Sequence, residues 1–82
     1  MFDTIRRLVD EQGRLSVAAA TIGDDADLYA TGLTSFAAVQ LMLALEETFD
    51  VEFPDRMLNR RSFSSIAAIA NCLQEIKAEE AA

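Results

Sequence analysis

The residue types that most often perform nucleophilic or acid–base catalysis are scarce in this chain. Its 82 residues include no histidine, one cysteine and one lysine. A serine or cysteine nucleophile needs a neighbouring base, and without histidine neither a Ser-His triad nor a histidine metal site can form. The acidic pair Glu46–Glu47 is predicted on a helix surface that shows no sign of a pocket. The sequence therefore predicts a protein that is not an enzyme.

Two other groups of residues could do chemistry, but their context favours simpler roles. Asp24, Asp25 and Asp27 lie in a predicted loop. An EF-hand counted from Asp25 lacks the glycine at its sixth position and the glutamate at its twelfth, so we expect a solvated acidic loop and no metal. Cys72 lies at the edge of a helical apolar face. That position favours a buried, inert thiol over a reactive one.

Ser35 is the hydroxyl residue in the most suggestive position. It follows the glycine-containing segment 30–34 and begins the most strongly helical part of the chain. A phosphate attached there would lie near the positive end of the helix dipole, which would stabilise it by about 0.3–1 kcal/mol. From position alone, a plain N-cap formed by Thr34 or Ser35 is the stronger interpretation.

Helices must position these residues, and no strand pattern competes with them. Helical spacing predicts a first helix over residues 2–12, ended by Gly13, and a second over residues 35–49. Pro54 introduces a short third helix over residues 55–59. Ser62 or Ser64 caps a fourth helix, with its buried face on Ile66, Ile69, Leu73 and Ile76.

These elements predict an all-α fold, a small four-helix bundle with a long loop between helices one and two. We expect one domain over residues 1–82, with an ordered core at about 2–77 and a frayed end at 79–82. The fourth helix should end near Lys77. The loop, residues 14–34, carries scattered apolar residues, so we expect it to be ordered across the helices, with a helical turn near residues 17–21.

The second helix carries two apolar strips. On a helical wheel, one strip faces the core, and a second lies about 120–180° away from it, towards solvent, the loop or a partner. The core strip comprises Ala38, Leu41, Met42, Leu45 and Phe49, and the second strip comprises Phe36, Val39 and Leu43.

The charge balance restricts the class of partner. The formal net charge is −7, with a pI near 4.3, which disfavours nucleic acids and anionic membranes. Eight acids and no base lie between residues 15 and 55. Beside the second apolar strip they suggest a docking surface for basic proteins, although a solubilising face explains them equally well. Without a signal peptide or an apolar run of about 18–20 residues, we expect a cytoplasmic protein, and we also expect a monomer.

The segment DLYATGLTSFAAVQLMLALEETFDVEFPD resembles the acyl carrier and peptidyl carrier proteins, and with the helical layout the resemblance covers essentially the whole chain. It implies that Ser35 is esterified by 4′-phosphopantetheine, donated from coenzyme A by a phosphopantetheinyl transferase, and that the arm carries an acyl or aminoacyl thioester. Residues that match in order and spacing are Gly32, Ser35, Glu46, Phe49, Val51, Phe53, Pro54 and Asp55. The docking face implied by the resemblance comprises Phe36, Val39, Gln40, Leu43 and Glu47, with the short third helix alongside.

Departures from the family pattern indicate a dedicated partner. Thr34 replaces the usual aspartate and has no carboxylate for a transferase-bound metal, which leaves the type of transferase open. Gln40 stands where fatty-acid carriers commonly have an acid. A basic set, Arg56, Arg60 and Arg61, replaces the usual acidic third helix. These arginines contact a partner or simply offset local repulsion between acids.

More narrowly, ATGLTSF and EFPDRMLNRRSF resemble small stand-alone aminoacyl carrier proteins. These are loaded by ligases resembling truncated class II aminoacyl-tRNA synthetases, which implies ATP-dependent loading of a small amino acid such as glycine or alanine. Other hypotheses are a carrier for fatty acyl or polyketide cargo, an acidic helical interaction module without a prosthetic group and, least supported, a metal-binding regulator.

Overall fold

The computed structural model describes residues 1–81, and within that range the fold is all-α. Its three α-helices are α1 (Phe2–Gln12), α2 (Ser35–Phe49) and α3 (Ile66–Ala81), and three 3-10 turns span Ala19–Thr21, Asp55–Met57 and Arg60–Phe63. No strand occurs among these 81 residues. The predicted class, bundle packing and long first connection are confirmed, but the helix count of four is wrong.

The first two helices begin and end where the sequence predicts. α1 ends at Gly13, whose N–H donates to the Val9 carbonyl at 2.7 Å. α2 begins after Thr34, whose side-chain oxygen accepts the Ala37 N–H at 3.0 Å. Thr34 rather than Ser35 is therefore the N-cap, and this leaves the Ser35 hydroxyl outside the cap.

The core lies between the three helices and is completed by the connections. The core residues predicted for α2 divide into fully buried Leu41 and Leu45, nearly buried Ala38, and half-buried Met42 and Phe49. The predicted buried face of α3 is confirmed. The remaining core residues are Ile5, Leu8 and Val9 of α1, Ala37 of α2, Ala70 of α3, and Ala19, Leu28, Leu33, Phe53, Met57 and Phe63 of the connections.

The predicted third helix at 55–59 is wrong, because two 3-10 turns take its place. Asn59 interrupts them with extended backbone (φ −146°, ψ 166°), and its side chain accepts the Ser62 N–H to start the second turn. Packing favours this arrangement, since Met57 and Phe63 are both buried. The Phe63 ring also contacts that of Phe53, with ring centroids 5.4 Å apart.

The beginning and end of α3 also differ from the prediction. Neither Ser62 nor Ser64 caps this helix; Ser65 does, because its hydroxyl accepts the Ala68 N–H at 3.0 Å. α3 also continues past Lys77 to Ala81. Its last turn is helical rather than frayed, supported by an ion pair between Arg56 and Glu79. Ala82 lies outside the described residues.

The long first connection is ordered, as predicted, and it holds α1 and α3 together. The Arg6 guanidinium donates to the carbonyls of Ala19 and Ile22 and to the Asp24 carboxylate. The Asp24 carbonyl in turn accepts the Ala67 N–H of α3 at 2.9 Å. The predicted turn near 17–21 is the 3-10 turn Ala19–Thr21.

Two further expectations can be compared with the structure. Cys72 is half-buried against the core rather than fully buried, because it lies at the edge of the apolar face of α3. None of the helices within residues 1–81 is both long and apolar enough to cross a membrane.

Candidate functional site

Ser35 lies exposed at the N-terminus of α2. The first N–H groups of an α-helix have no acceptor within the helix. Here the Ala37 N–H is taken by the Thr34 side chain and the Ala38 N–H by the Thr34 carbonyl, at 3.0 and 2.8 Å. The backbone N–H groups of Ser35 and Phe36 therefore remain for a group attached to the Ser35 hydroxyl.

A tight turn delivers the chain to this helix start. Gly32 has φ +116°, a conformation that side-chain-bearing residues rarely adopt, and the Leu33 N–H closes the turn onto the Leu28 carbonyl at 3.0 Å. Leu28 anchors the turn, because it is fully buried and its N–H donates to the Ser64 carbonyl at 2.7 Å. This anchoring fixes the position of Ser35 relative to α3.

A cleft of about 390 Å³ lies beside Ser35. One wall is α2, and the other is formed by the Tyr29 turn and the segment from Leu58 to Phe63. Among the described residues that line the cleft, Arg60 alone carries a charge, and most of the others are apolar. The lining comprises Tyr29, Ser35, Ala38, Val39, Met42, Leu58, Asn59, Arg60 and Phe63.

Arg60 stacks on the ring of Tyr29, with its guanidinium carbon 3.8 Å from the ring centroid. This cation–π contact fixes an otherwise flexible side chain at the cleft. Burial raises the pKa of Tyr29 above its ordinary value, Arg60 opposes the rise, and Asp27 adds to it. The Asp27 carboxylate accepts the backbone N–H groups of Tyr29 and Ala30, so it is already hydrogen-bonded within its own loop.

The second apolar strip of α2 is exposed rather than covered by the long loop, two of the alternatives that the sequence left open: the exposed fractions are 68% for Phe36, 50% for Val39 and 50% for Leu43. Leu58 extends it from across the cleft and is 48% exposed. We call Phe36, Val39, Leu43 and Leu58 the docking strip. The sequence did not single out Leu58, because only the fold brings its turn next to α2. Gln40 and Glu47 are exposed on the same helix.

Glu46 differs from the expectation that it contributes to an acidic docking surface. It is half-buried, and its carboxylate accepts the Phe53 N–H at 2.9 Å. Glu46 therefore stabilises the connection after α2. Glu47 is exposed and remains available to a partner.

The three clustered arginines occupy different environments. Arg56 forms ion pairs with Glu79 and, at 3.9 Å, with Glu75 of α3. Arg60 lies in the cleft, and Arg61 is exposed. Among the described residues Arg60 and Arg61 form no ion pair with an acidic side chain. Ser35, Val39 and Arg60 are therefore brought together at the cleft, whereas Arg56 is engaged with α3.

The acidic loop does not form a metal centre within residues 1–81, where no cluster of three or more His, Cys, Asp or Glu side chains could hold a metal ion. Asp24 pairs with Arg6 at 2.5 Å, and Asp27 accepts backbone N–H groups.

These residues fit the 4′-phosphopantetheine group implied by the sequence resemblance. Attachment needs an accessible hydroxyl, and Ser35 provides one beside helix-terminal N–H groups that favour an anionic phosphodiester. The adjacent cleft has apolar walls and one cation. When attached, the group supplies a terminal thiol that can hold a carboxylic acid as a thioester.

Comparisons with known proteins agree with this geometry. The model of the family "Phosphopantetheine attachment site" matches residues 3–73. An aminoacyl carrier protein of Agrobacterium fabrum is 56% identical over 73 residues, which cover 89% of this chain and 88% of the relative.

Two of the similar solved structures are ligase complexes. One is engineered Bradyrhizobium japonicum glycine:[carrier protein] ligase complexed with carrier protein from Agrobacterium tumefaciens and AMP. A chain there is 55% identical, with a TM-score of 0.88, covering 90% of this chain and 99% of its own length. Another is the Bradyrhizobium japonicum glycine:[carrier protein] ligase complexed with glycylated carrier protein. A chain of that structure is 27% identical, with a TM-score of 0.74, covering 87% of this chain and 95% of its own length.

Proposed function

Because the chain belongs to the phosphopantetheine attachment family, we propose that it carries an amino acid as a thioester on a 4′-phosphopantetheine arm attached to Ser35. The observation that carries this proposal is the exposed Ser35 hydroxyl at the start of α2, inside the segment that the family model matches. The chain is a carrier and not an enzyme: its relative is named an aminoacyl carrier protein. Activation and transfer therefore belong to partner proteins.

Attachment requires a phosphopantetheinyl transferase. The Ser35 oxygen attacks the β-phosphorus of coenzyme A, a new P–O bond forms, and the bond to 3′,5′-ADP breaks. The serine proton leaves to a base on the transferase, since this chain has no histidine. Thr34 lies beside Ser35 and caps α2 without a carboxylate, so we propose a transferase that does not need an acid from the carrier at this position.

The loading partner is proposed to be an amino acid:[carrier protein] ligase that resembles a truncated class II aminoacyl-tRNA synthetase. Support comes from structures in which carrier proteins similar to this chain are complexed with a glycine:[carrier protein] ligase. A small amino acid such as glycine is the corresponding cargo. The docking strip would contact the ligase, with Gln40 and Glu47 at its edge, and Thr34 and Arg60 near the site of attachment.

Arg56 was also predicted to contact a partner. Its ion pairs with Glu75 and Glu79 compete with that role, so we propose Arg61, which is exposed and forms no ion pair within residues 1–81, as a partner contact in place of Arg56. A cytoplasmic location and a monomeric state remain predictions from the sequence.

Attachment is tested by incubating the chain with coenzyme A and a broad-specificity phosphopantetheinyl transferase and measuring its intact mass. We expect one phosphopantetheine increment in the unaltered chain and none in Ser35→Ala. Thr34→Ser is the matched control, because it keeps a capping hydroxyl next to an intact Ser35. No increment under conditions in which the transferase modifies another carrier protein would reject the proposal and favour an interaction module.

The cargo is tested on the holo protein with ATP, the Bradyrhizobium japonicum ligase and either glycine or a set of fatty acids. A second increment with glycine, removed by hydroxylamine, is the expected result for an aminoacyl thioester. Loading with a fatty acid by an acyl ligase, and with no amino acid by any carrier-protein ligase offered, would instead assign the chain to acyl transport.

A further inference from the structure

Arg60 is the cleft residue whose role the carrier function does not explain. It is stacked on Tyr29 and lines the same cleft as Ser35. Arg6, Arg7 and Arg56 pair with Asp24, Glu11 and Glu79, respectively. Arg14 and Arg61 form no ion pair within residues 1–81, but neither of them lines the cleft. Arg60 forms no such pair within residues 1–81, so its charge is not consumed by the fold.

We propose that, in the holo protein, the Arg60 guanidinium binds the phosphodiester on Ser35 and holds the beginning of the arm in the cleft beside α2. This inference rests on the proposed attachment at Ser35. It adds an intramolecular function for the arginine, distinct from any contact with a partner protein.

Stacking suits Arg60 to this task. A guanidinium lying over an aromatic face keeps its N–H groups in the guanidinium plane free to donate at its edge, and its planar donors match phosphate oxygens. The side chain is already held by Tyr29 in the apo protein, so binding the phosphodiester costs less rotamer entropy than it would for a free surface arginine.

The surrounding charge makes a nearby cation important. Residues 15–55 contain eight acids and no base, and attachment adds a further negative charge within this stretch. Arg60 is the charged residue that the described cleft offers against it. The two free N–H groups at the start of α2 act on the same phosphodiester, so arginine and helix terminus reinforce each other.

The shape of the cleft gives the rest of the arm a place to lie. Beyond Ser35 and Arg60 its walls are formed by Val39, Met42 and Leu58. An arm fixed at its phosphodiester would pass along these side chains. Part of the docking strip would then be covered by the arm until a partner displaces it.

Nuclear magnetic resonance of the apo and holo protein tests the proposal below pH 7, where arginine Nε–Hε signals are observable. We expect the Arg60 Nε–Hε resonance to shift when the apo protein becomes holo, while that of Arg61 does not. We also expect backbone amide shifts at Val39, Met42 and Leu58. In Arg60→Gln these amide shifts should largely disappear, in Arg60→Lys they should persist in part, and in Arg61→Gln they should match the unaltered chain.

Phosphorus resonances separate the two possible failures. A phosphodiester signal with no change at Arg60, or with the same amide shifts in Arg60→Gln as in the unaltered chain, overturns the arginine contact and leaves the carrier function intact. Absence of any phosphodiester signal after transferase treatment overturns attachment at Ser35, and the contact with it. The Arg60 signal of the unaltered chain decides the matter even if Arg60→Gln perturbs the turn at Tyr29.

Discussion

At the start of α2, Thr34 forms the helix cap, and Ser35 is the proposed site of attachment. Thr34 satisfies the Ala37 N–H, so the serine hydroxyl has no capping duty and is free to be modified. If Ser35 itself formed the cap, its hydroxyl oxygen would accept a backbone N–H and would be less available as a nucleophile. Thr34 therefore caps the helix and leaves Ser35 available for the proposed arm, whereas the sequence alone allowed either residue to be the cap.

Replacing Thr34 by alanine should lower the free energy of unfolding by about 1 kcal/mol, because the Ala37 N–H loses its acceptor. Urea denaturation followed by circular dichroism measures the change. Thr34→Ser keeps the hydroxyl and is expected to remain close to the unaltered chain. Equal destabilisation by both substitutions would show that the methyl group, and not the hydrogen bond, is what matters.

Tyr29 is the only tyrosine and the chain has no tryptophan, so ultraviolet absorbance at alkaline pH reports its ionisation alone. The pKa of Tyr29 should lie above the ordinary value of about 10, because burial disfavours the phenolate. Since the folded state holds the phenolic proton more tightly, the stabilisation from neutral Tyr29 is full below about pH 10 and is lost as the pH rises through the folded pKa.

The same titration measures the contact between Arg60 and Tyr29. Arg60→Gln should raise the pKa of Tyr29 further, because a cation that favours the phenolate is removed. Arg61→Gln, one residue away and exposed, should leave it unchanged. A lower pKa in Arg60→Gln than in the unaltered chain would contradict the stacked geometry.

Among the elements, α2 presents both a core face and an exposed apolar face, which we propose for docking. Leu41 and Leu45 are fully buried, while Phe36, Val39 and Leu43 are at least half exposed. Exposed apolar side chains in contiguous positions mark interaction sites in soluble proteins. Leu58, which directly follows the 3-10 turn Asp55–Met57, is exposed and lines the same cleft as Val39 of α2.

Leu43→Asp is expected to retain the helical circular-dichroism spectrum and to lower the kcat/KM of ligase loading at least about tenfold, which corresponds to about 1.4 kcal/mol. The side chain is half exposed, so the fold loses little by the change. Thr48→Asp adds the same charge to an exposed position of α2 outside the docking strip, and loading should continue. Loss of the helical spectrum in Leu43→Asp would identify Leu43 as a core residue instead.

An element can be predicted from the sequence when the residues that determine it lie close together in the chain. α1 and α2 have long periodic patterns and nearby caps, and both were predicted with their observed bounds. The segment 55–63 was not, because its 3-10 turns depend on burying Met57 and Phe63 and on the Asn59 side chain. The Ser65 cap was missed for a similar reason: three neighbouring serines are equivalent until tertiary contacts select among them.

The site itself was predictable only in part. The exposed strip followed from helical spacing, whereas Ser35 was singled out by the family resemblance, since its position alone favoured a plain N-cap. The cleft and the Arg60–Tyr29 stack did not, because Tyr29 and Arg60 lie on separate connections that meet only in the folded chain. The sequence did not predict the hydrogen bond from the Phe53 N–H to the Glu46 carboxylate. A glutamate near a helix C-terminus has the pattern of an exposed charge, and only the folded chain brings Phe53 next to it.

Over the whole molecule, the fold depends on hydrogen bonds that tie the long connection to the helices. Arg6 is the centre of this network: it reaches Ala19, Ile22 and Asp24, and Asp24 reaches Ala67 of α3. A chain of 82 residues has a small core and marginal stability, so we expect loss of these polar contacts to be measurable.

Arg6→Met should destabilise the fold by about 2–3 kcal/mol, because charge-assisted hydrogen bonds to two carbonyls and a carboxylate are lost together. Arg7→Met is the matched control, since Arg7 forms an exposed ion pair with Glu11 one turn along α1 and should cost only about 0.2–0.5 kcal/mol. Denaturant unfolding measures both. Equal effects would mean that the connection is not held through Arg6.

The net charge of −7 is distributed unevenly, and we expect those acids that are not engaged in local contacts to favour a basic partner. All eight acids between residues 15 and 55 lie in a stretch without a base, and the same stretch contains Ser35 and α2. Electrostatic complementarity of this kind raises the association rate with a basic partner more than the final affinity. Ligase association should therefore slow as salt is raised.

The central claim, a covalent arm on Ser35, is tested most directly by locating the modification within the chain. Trypsin cleaves after Arg14 and Arg56, so residues 15–56 form one peptide that contains Thr34, Ser35 and five other hydroxyl residues. After transferase treatment with coenzyme A, fragmentation of this peptide in the mass spectrometer should place one phosphopantetheine increment on Ser35. An increment on Thr34 or outside residues 15–56, or none with a demonstrably active transferase, would contradict the account.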